Sequence, residues 1–258
     1  MDNQLEYTTV EEFLNSGSLK RVDVMLSKNK KAFFSKLIMW ATKSNWSHAA
    51  LVFVISSPKT GFDNTFVIES TGAGVDITNL RYYLEEHSKE YDIGFKRLDV
   101  EWFSNDKLGL EIRKRIRGSM LNLIKAKYDM GKILHIAKMT LERILFGVRV
   151  RISSLEKVMR KAREKGNRVP SQFICSGLVQ YGFYSTISEL IGEGVLSKDK
   201  LKDVIFNPRF NGEIDRDILL STTPQDLANS EKLKWKYVIH DGKAYEISTS
   251  AEAEKIIK

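Results

Sequence analysis

The longest apolar run of the chain, Ala49-Ala50-Leu51-Val52-Phe53-Val54-Ile55, fills both parities of a strand. Apolar side chains on both faces predict a central strand covered on both sides, starting near His48. Other segments alternate or repeat around it. Arg21–Ser27 and Thr65–Glu69 read as strands, as do Val75–Ile77 after the bend allowed by Gly72 and Gly74, and Tyr91–Leu98. Lys31–Thr42 carries its apolar residues at helical spacing, and Asn45 and Ser47 mark the loop after it. Thr9-Val10-Glu11-Glu12 is a capping-box pattern that starts a short helix, and Thr78 is expected to cap a helix over Asn79–His87.

The second half opens with helical patterns: Asp106–Lys127, then, past Tyr128-Asp129, Met130–Val148 and Ser153–Lys165, stopped by Gly166-Asn167. Next comes Val169–Phe183, where an irregular segment gives way to a helix. Pro170 disfavours helix before it, Ser171 is the expected N-cap, and Leu178, Val179 and Tyr181 give the helical pattern. Thr223-Pro224-Gln225-Asp226-Leu227 starts another helix. Trp235–His240 and Lys243–Ile247 form a hairpin across Asp241-Gly242, a type I′ signal. Ala251–Lys258 closes the chain as a charged helix. The expectation is a single α+β domain over residues 1–258, with a mostly antiparallel sheet.

Composition adds one asymmetry. The chain has 258 residues and a formal charge of +8. Residues 112–168 hold 17 Lys and Arg against 4 Asp and Glu, a balance of +13, while the remainder has 24 against 29, a balance of −5. The segment at about 106–168 is therefore expected to be a basic helical insertion beside the active-site cleft. It could also be the solvated face of packed helices, a membrane-surface contact, or a grip for an acidic partner. Its only aromatics are Tyr128 and Phe146, too few for a single-strand stacking platform, so nucleic acid is not the expected partner. The start, MDNQLEYTTVEEF, has no secretory pattern, and the longest apolar run is too short to span a bilayer. A cytoplasmic location is expected. The single cysteine allows no internal disulfide, and no zinc-site spacing is present, so no metal or cofactor is expected.

Cys175 stands at the predicted start of a helix, where unpaired N–H groups and the helix dipole favour a thiolate. It is equally a small residue of a type often buried in cores. His48 heads the central strand, either as a strand-end histidine or as a general base that titrates near neutrality. Glu69 closes an apolar strand on the face of Val67, as a solvated end or as the partner of a cation. The other histidines, His87, His135 and His240, lie at a helix end, within a helix and before a turn, with no evident chemical partner. Together Cys175, His48 and Glu69 supply a nucleophile, a base and a group to orient the base.

In this order the residues resemble the circularly permuted NlpC-type papain-like cysteine peptidases and amidases, in which the histidine strand precedes the cysteine helix. The resemblance runs through Val22-Asp23-Val24-Met25-Leu26, Trp46-Ser47-His48-Ala49-Ala50-Leu51-Val52, Val67-Ile68-Glu69-Ser70, Gly74-Val75, Tyr128-Asp129, Phe173-Ile174-Cys175-Ser176 and Thr223–Leu227. It implies a permuted papain-like fold and a cysteine hydrolase of small peptides or amides, cell-wall stem peptides among them, working through a thiol acyl-enzyme. Cys175 would be the nucleophile, His48 the base and Glu69 its orienting group, with Tyr128 and Ser176 binding substrate. The same fold family includes lipid acyltransferases and thioesterases, which is the alternative activity; a non-catalytic binding module is the other. Val22 departs from the pattern, which usually has glycine before the aspartate. The basic helices after Asp129 are also longer than the resemblance implies.

Overall fold

The computed structural model describes residues 6–55, 65–104, 106–129, 131, 170, 172–210 and 216–258. Its frame is an eight-stranded antiparallel sheet. In chain order the strands are β1 (Tyr7–Thr9), β2 (Val24–Asn29), β3 (His48–Val54), β4 (Phe66–Thr71), β5 (Gly74–Asn79), β6 (Tyr91–Leu98), β9 (Leu233–His240) and β10 (Lys243–Glu246). In space they run β1-β10-β9-β6-β2-β3-β4-β5. A second, two-stranded parallel pair joins β7 (Lys127–Tyr128) to β8 (Gln172–Phe173).

The alternation along β2 and β3 divides the core in two. Val24, Leu26, Ala49 and Leu51 face one side, where they meet helix α4 (Asp106–Leu121), which follows the short α3 (Glu101–Ser104), through Ile112, Ile116 and Met120. They also meet α5 (Cys175–Gly192) through Leu178, Val179 and Phe183. Met25, Ala50 and Val52 face the other side, covered by Phe13 of α1 (Val10–Asn15) and by Tyr83 and Leu84 of a π-helical turn, Tyr82–Glu86. Both faces of β3 are buried, as its unbroken apolar run requires.

Local signals place most boundaries. The capping box of Thr9 forms as its sequence predicts, Thr223 starts the expected helix with a second, and a third forms at Thr249 before the last helix, Ser250–Ile257. Asp241 and Gly242 both take positive φ, 46° and 76°, which is the turn geometry that matches strand twist. Thr78 behaves otherwise. It lies inside β5, opposite Val67, rather than capping a helix, because the cross-strand ladder to β4 continues through Asn79. Only the turn Tyr82–Glu86 then remains of the helix expected over Asn79–His87.

The segment expected as an insertion begins with a core element. Helix α4 packs against α5 closely enough that a Cβ on Gly182 would meet the Met120 sulfur at 2.9 Å. Lys125 and Ala126 then bond to Val75 on the edge strand. The helices expected over Met130–Val148 and Ser153–Lys165 lie outside the described residues.

Candidate active site

Helix α5 brings Cys175 to the first residue of β3. Its N-cap is Ile174, not Ser171, which lies outside the described residues. An apolar N-cap offers no oxygen to the first-turn N–H groups, so these donors stay available to an anion. The thiol takes a backbone hydrogen bond from Ser176 and another from Ala49, at the strand end it abuts. On its other side the first turn is close to the helix Arg216–Leu220, where only glycine fits at 177: a Cβ there would meet the Leu220 carbonyl oxygen at 2.5 Å.

His48 hydrogen-bonds to Cys175 and, through Nε2, to Glu69 Oε2 at 2.5 Å. Nε2 is thereby occupied, which leaves Nδ1 for the sulfur. Glu69 reaches the ring because it stands across the ladder from Ala50, on the same face as His48. The carboxylate is itself held. Tyr83 donates its hydroxyl to Oε2 at 2.6 Å, and Thr78 donates to Oε1. Periodicity gave no sign of these two partners; only a short polar residue on an edge strand and a tyrosine after it stand in the sequence.

The electrostatics follow from these contacts. Burial works against charge on all three groups, yet their mutual attraction outweighs it. Burial alone would lower the His48 pKa, but the sulfur and Glu69 raise it from 6.5 to about 10. Burial alone would raise the Cys175 thiol, but His48 and the two backbone N–H groups bring it below its usual 9.0. Burial likewise opposes ionisation of Glu69, and His48, Thr78 and Tyr83 hold it below the usual carboxylate value. These contacts favour a thiolate–imidazolium pair backed by a carboxylate.

Tyr128 packs on Ile38 and Ile174, and burial together with the negative sulfur pushes its phenol well above its ordinary value. It remains a hydroxyl donor beside the thiol. Ser176 is placed differently from its expected role. Its side chain is fully buried and donates to the Thr222 carbonyl at 2.7 Å, so its backbone N–H alone faces the site.

A cavity of about 290 Å³ opens beside His48 and Tyr128. Ser27, Asn29, Ser35, Ser47 and Ser70 line it together with Ala32, Ile38, Tyr83 and Tyr91, and among the described residues no Asp, Glu, Lys or Arg does. Ser27 lies directly across the ladder from His48. The buried hydroxyls of Ser27 and Ser35 have no hydrogen-bond partner among the described residues.

The remaining histidines lie elsewhere. His240 has partners after all: Nδ1 meets buried Asp92 at 2.7 Å, which Lys30 also reaches at 3.1 Å, an ion cluster tying the ends of β2, β6 and β9. His87 lies 3.5 Å from Glu90, and His135 is outside the described residues. Among the described residues, no three His, Cys, Asp or Glu side chains are grouped to hold a metal ion, and no helix is long and apolar enough to cross a membrane.

No protein-family model matches the chain, and no curated protein does. Among solved structures it is similar to the metalloprotein yiiX of Escherichia coli O157:H7, DUF1105, at 15% identity and a TM-score of 0.35, over 63% of this chain and 92% of that one. At that TM-score the likeness bears on neither fold nor function.

Proposed function

We propose that the chain is a cysteine hydrolase of a permuted papain-like kind, cleaving amide bonds through Cys175. The observation that carries this reading is the Cys175–His48–Glu69 array, in which each group is held by the next. In the proposed reaction the thiolate attacks the amide carbonyl carbon and forms a C–S bond. N–H groups at the start of α5 take the oxyanion. The imidazolium of His48 gives its proton to the leaving amine as the C–N bond breaks. Water then attacks the thioester carbonyl, neutral His48 takes its proton, and the acid leaves as the thiolate returns.

The cavity, lined by hydroxyls and also by Ala32, Ile38 and tyrosine rings, fits a small group that hydrogen-bonds beside an apolar part. A long acyl chain would leave the buried Ser27 and Ser35 hydroxyls against hydrocarbon, which is costly. The activity test is a screen of uncharged amide, dipeptide and thioester substrates with native protein and Cys175→Ala in parallel. Amide turnover by native protein alone supports the reading. Turnover that survives Cys175→Ala, or the absence of an acyl-enzyme mass on native Cys175 with every turned-over substrate, refutes it.

A further inference from the structure

Helix α2 (Phe33–Thr42) walls the cavity with its inner face, through Ser35 and Ile38. Its outer face is the unusual one. Phe33 is 82% exposed and Trp40 46%, and at a helical spacing of 3.6 residues Leu37 and Lys36 fall between them. Exposed Phe33 and Trp40, with half-buried Leu37 between them, therefore form one outward stripe on a helix whose Ser35 and Ile38 are buried on the other face.

Charge surrounds the stripe. Between Asp23 and Asp63 the sequence has six lysines and no carboxylate. Lys30 and Lys31 are paired with Asp92, Asp241 and Glu90. Lys36, inside the stripe, and Lys43, at the helix C-cap, are exposed and make no ion pair with a described residue.

We infer that the outer face of α2 seats the protein on an anionic lipid surface. Phenylalanine, leucine and tryptophan enter the boundary between headgroups and hydrocarbon, and lysines beside them meet anionic headgroups. Each lysine near such a surface strengthens attachment roughly fivefold. A protein partner fits less well, since lysine is depleted from protein–protein interfaces and here sits within the stripe. Docking through α2 brings the His48 cavity, walled by the same helix, to the membrane. It does not depend on the thiol chemistry.

The test is sedimentation of the full chain with vesicles of phosphatidylcholine alone and with phosphatidylserine. Native protein should bind the anionic vesicles, and added salt should weaken that binding. Phe33→Glu/Trp40→Glu should lose about tenfold or more of the partition, while Cys175 still alkylates at the native rate, which shows that the variant is folded. Lys36→Glu/Lys43→Glu should lose binding to anionic vesicles as well. Brominated phosphatidylcholine mixed into the vesicles should quench fluorescence of native protein, and Trp40→Phe should remove most of that quenching, because Trp46 and Trp235 are buried and Trp102 is half-buried against the core with its Nε1 bonded to Asp203. Cys175→Ala should bind as native does, so failed hydrolysis and failed docking are separate results. No vesicle binding by native protein overturns the inference and leaves the stripe to a protein partner. Undiminished binding by Phe33→Glu/Trp40→Glu also overturns it, since another surface would then carry attachment.

Discussion

The sulfur of Cys175 and the ring of His48 each make the other's ionisation cheaper, which favours opposite charges on the two. The sign of the pH dependence follows. His48 is raised from 6.5 to about 10, so its stabilising contribution is complete below about 6.5 and is lost as pH rises through about 10. Cys175 is lowered, so its contribution is lost as pH falls through that lowered value. Between the two limits the ion pair is intact. In the proposed reaction, amide hydrolysis should therefore fall on the alkaline side near pH 10, as the imidazolium proposed to protonate the leaving amine disappears. In Glu69→Gln that alkaline limb should move to lower pH, because a neutral amide no longer favours the charged ring; a rate profile of the two proteins measures it. Val22 shows a different residue-scale effect. Its φ is 72°, a left-handed conformation that costs a β-branched residue about 1–2 kcal/mol. The glycine usual at this place in the resembled family has a physical reason. Gly at 22 should consequently be more stable than Ala by about 1 kcal/mol, reversing the usual order. Denaturant midpoints of Val22→Gly and Val22→Ala decide it, and a more stable Ala variant would show that the backbone relaxes without strain.

At the scale of elements, the first turn of α5 sets the position of the thiol. A methyl at Gly177 would press on the Leu220 backbone, which cannot swing aside as a side chain can. Gly177→Ala should lower stability by about 1–3 kcal/mol and slow alkylation of Cys175, two residues away. Thermal unfolding and thiol-labelling rates measure both, and an unchanged labelling rate would separate the turn from the site. Much of this layer is legible in the sequence. The apolar run after His48 reads as the central strand, the Asp241-Gly242 turn as a hairpin, and Thr223–Leu227 as a helix start, because each is fixed by local periodicity or backbone chemistry. The meeting of Cys175, His48 and Glu69 is suggested by residue type and order alone. What local pattern cannot carry is long-range pairing. Thr78 looks like a helix cap until β5 pairs with β4 through it, and Tyr83 looks like a polar-helix residue until the sheet brings Glu69 within its reach. Asp106–Leu121 looks like the start of a charged insertion, since its buried stripe of Ile112, Ile116 and Met120 is masked by the basic residues between them.

At the scale of the molecule, one buried lysine, its pKa lowered by burial to about 7, holds the far end of the sheet to a covering helix. Lys96, 1% exposed on β6, donates to the carbonyls of Leu227 and Ser230, each at 3.0 Å, and to that of Ala228, at the end of the helix Pro224–Asn229. Its ammonium also lies 5.0 Å from the centroid of the Trp235 ring. These carbonyls are the orphan acceptors of a helix C-terminus. Lys96→Met keeps the volume and removes all three bonds, so it should cost about 3 kcal/mol and lower the unfolding midpoint. A variant as stable as native protein would mean that the helix end finds other donors.

The central claim is that Cys175 rests as a thiolate because His48 is charged beside it. Its most direct test is the rate of iodoacetamide alkylation of native protein against pH, with His48→Ala alongside. A thiolate-forming pair predicts ready alkylation of native Cys175 at about pH 6, where an ordinary thiol is almost wholly protonated, and loss of that low-pH reactivity in His48→Ala. A native thiol that stays inert at that pH until the protein is denatured, or an identical profile for the two proteins, would contradict the account.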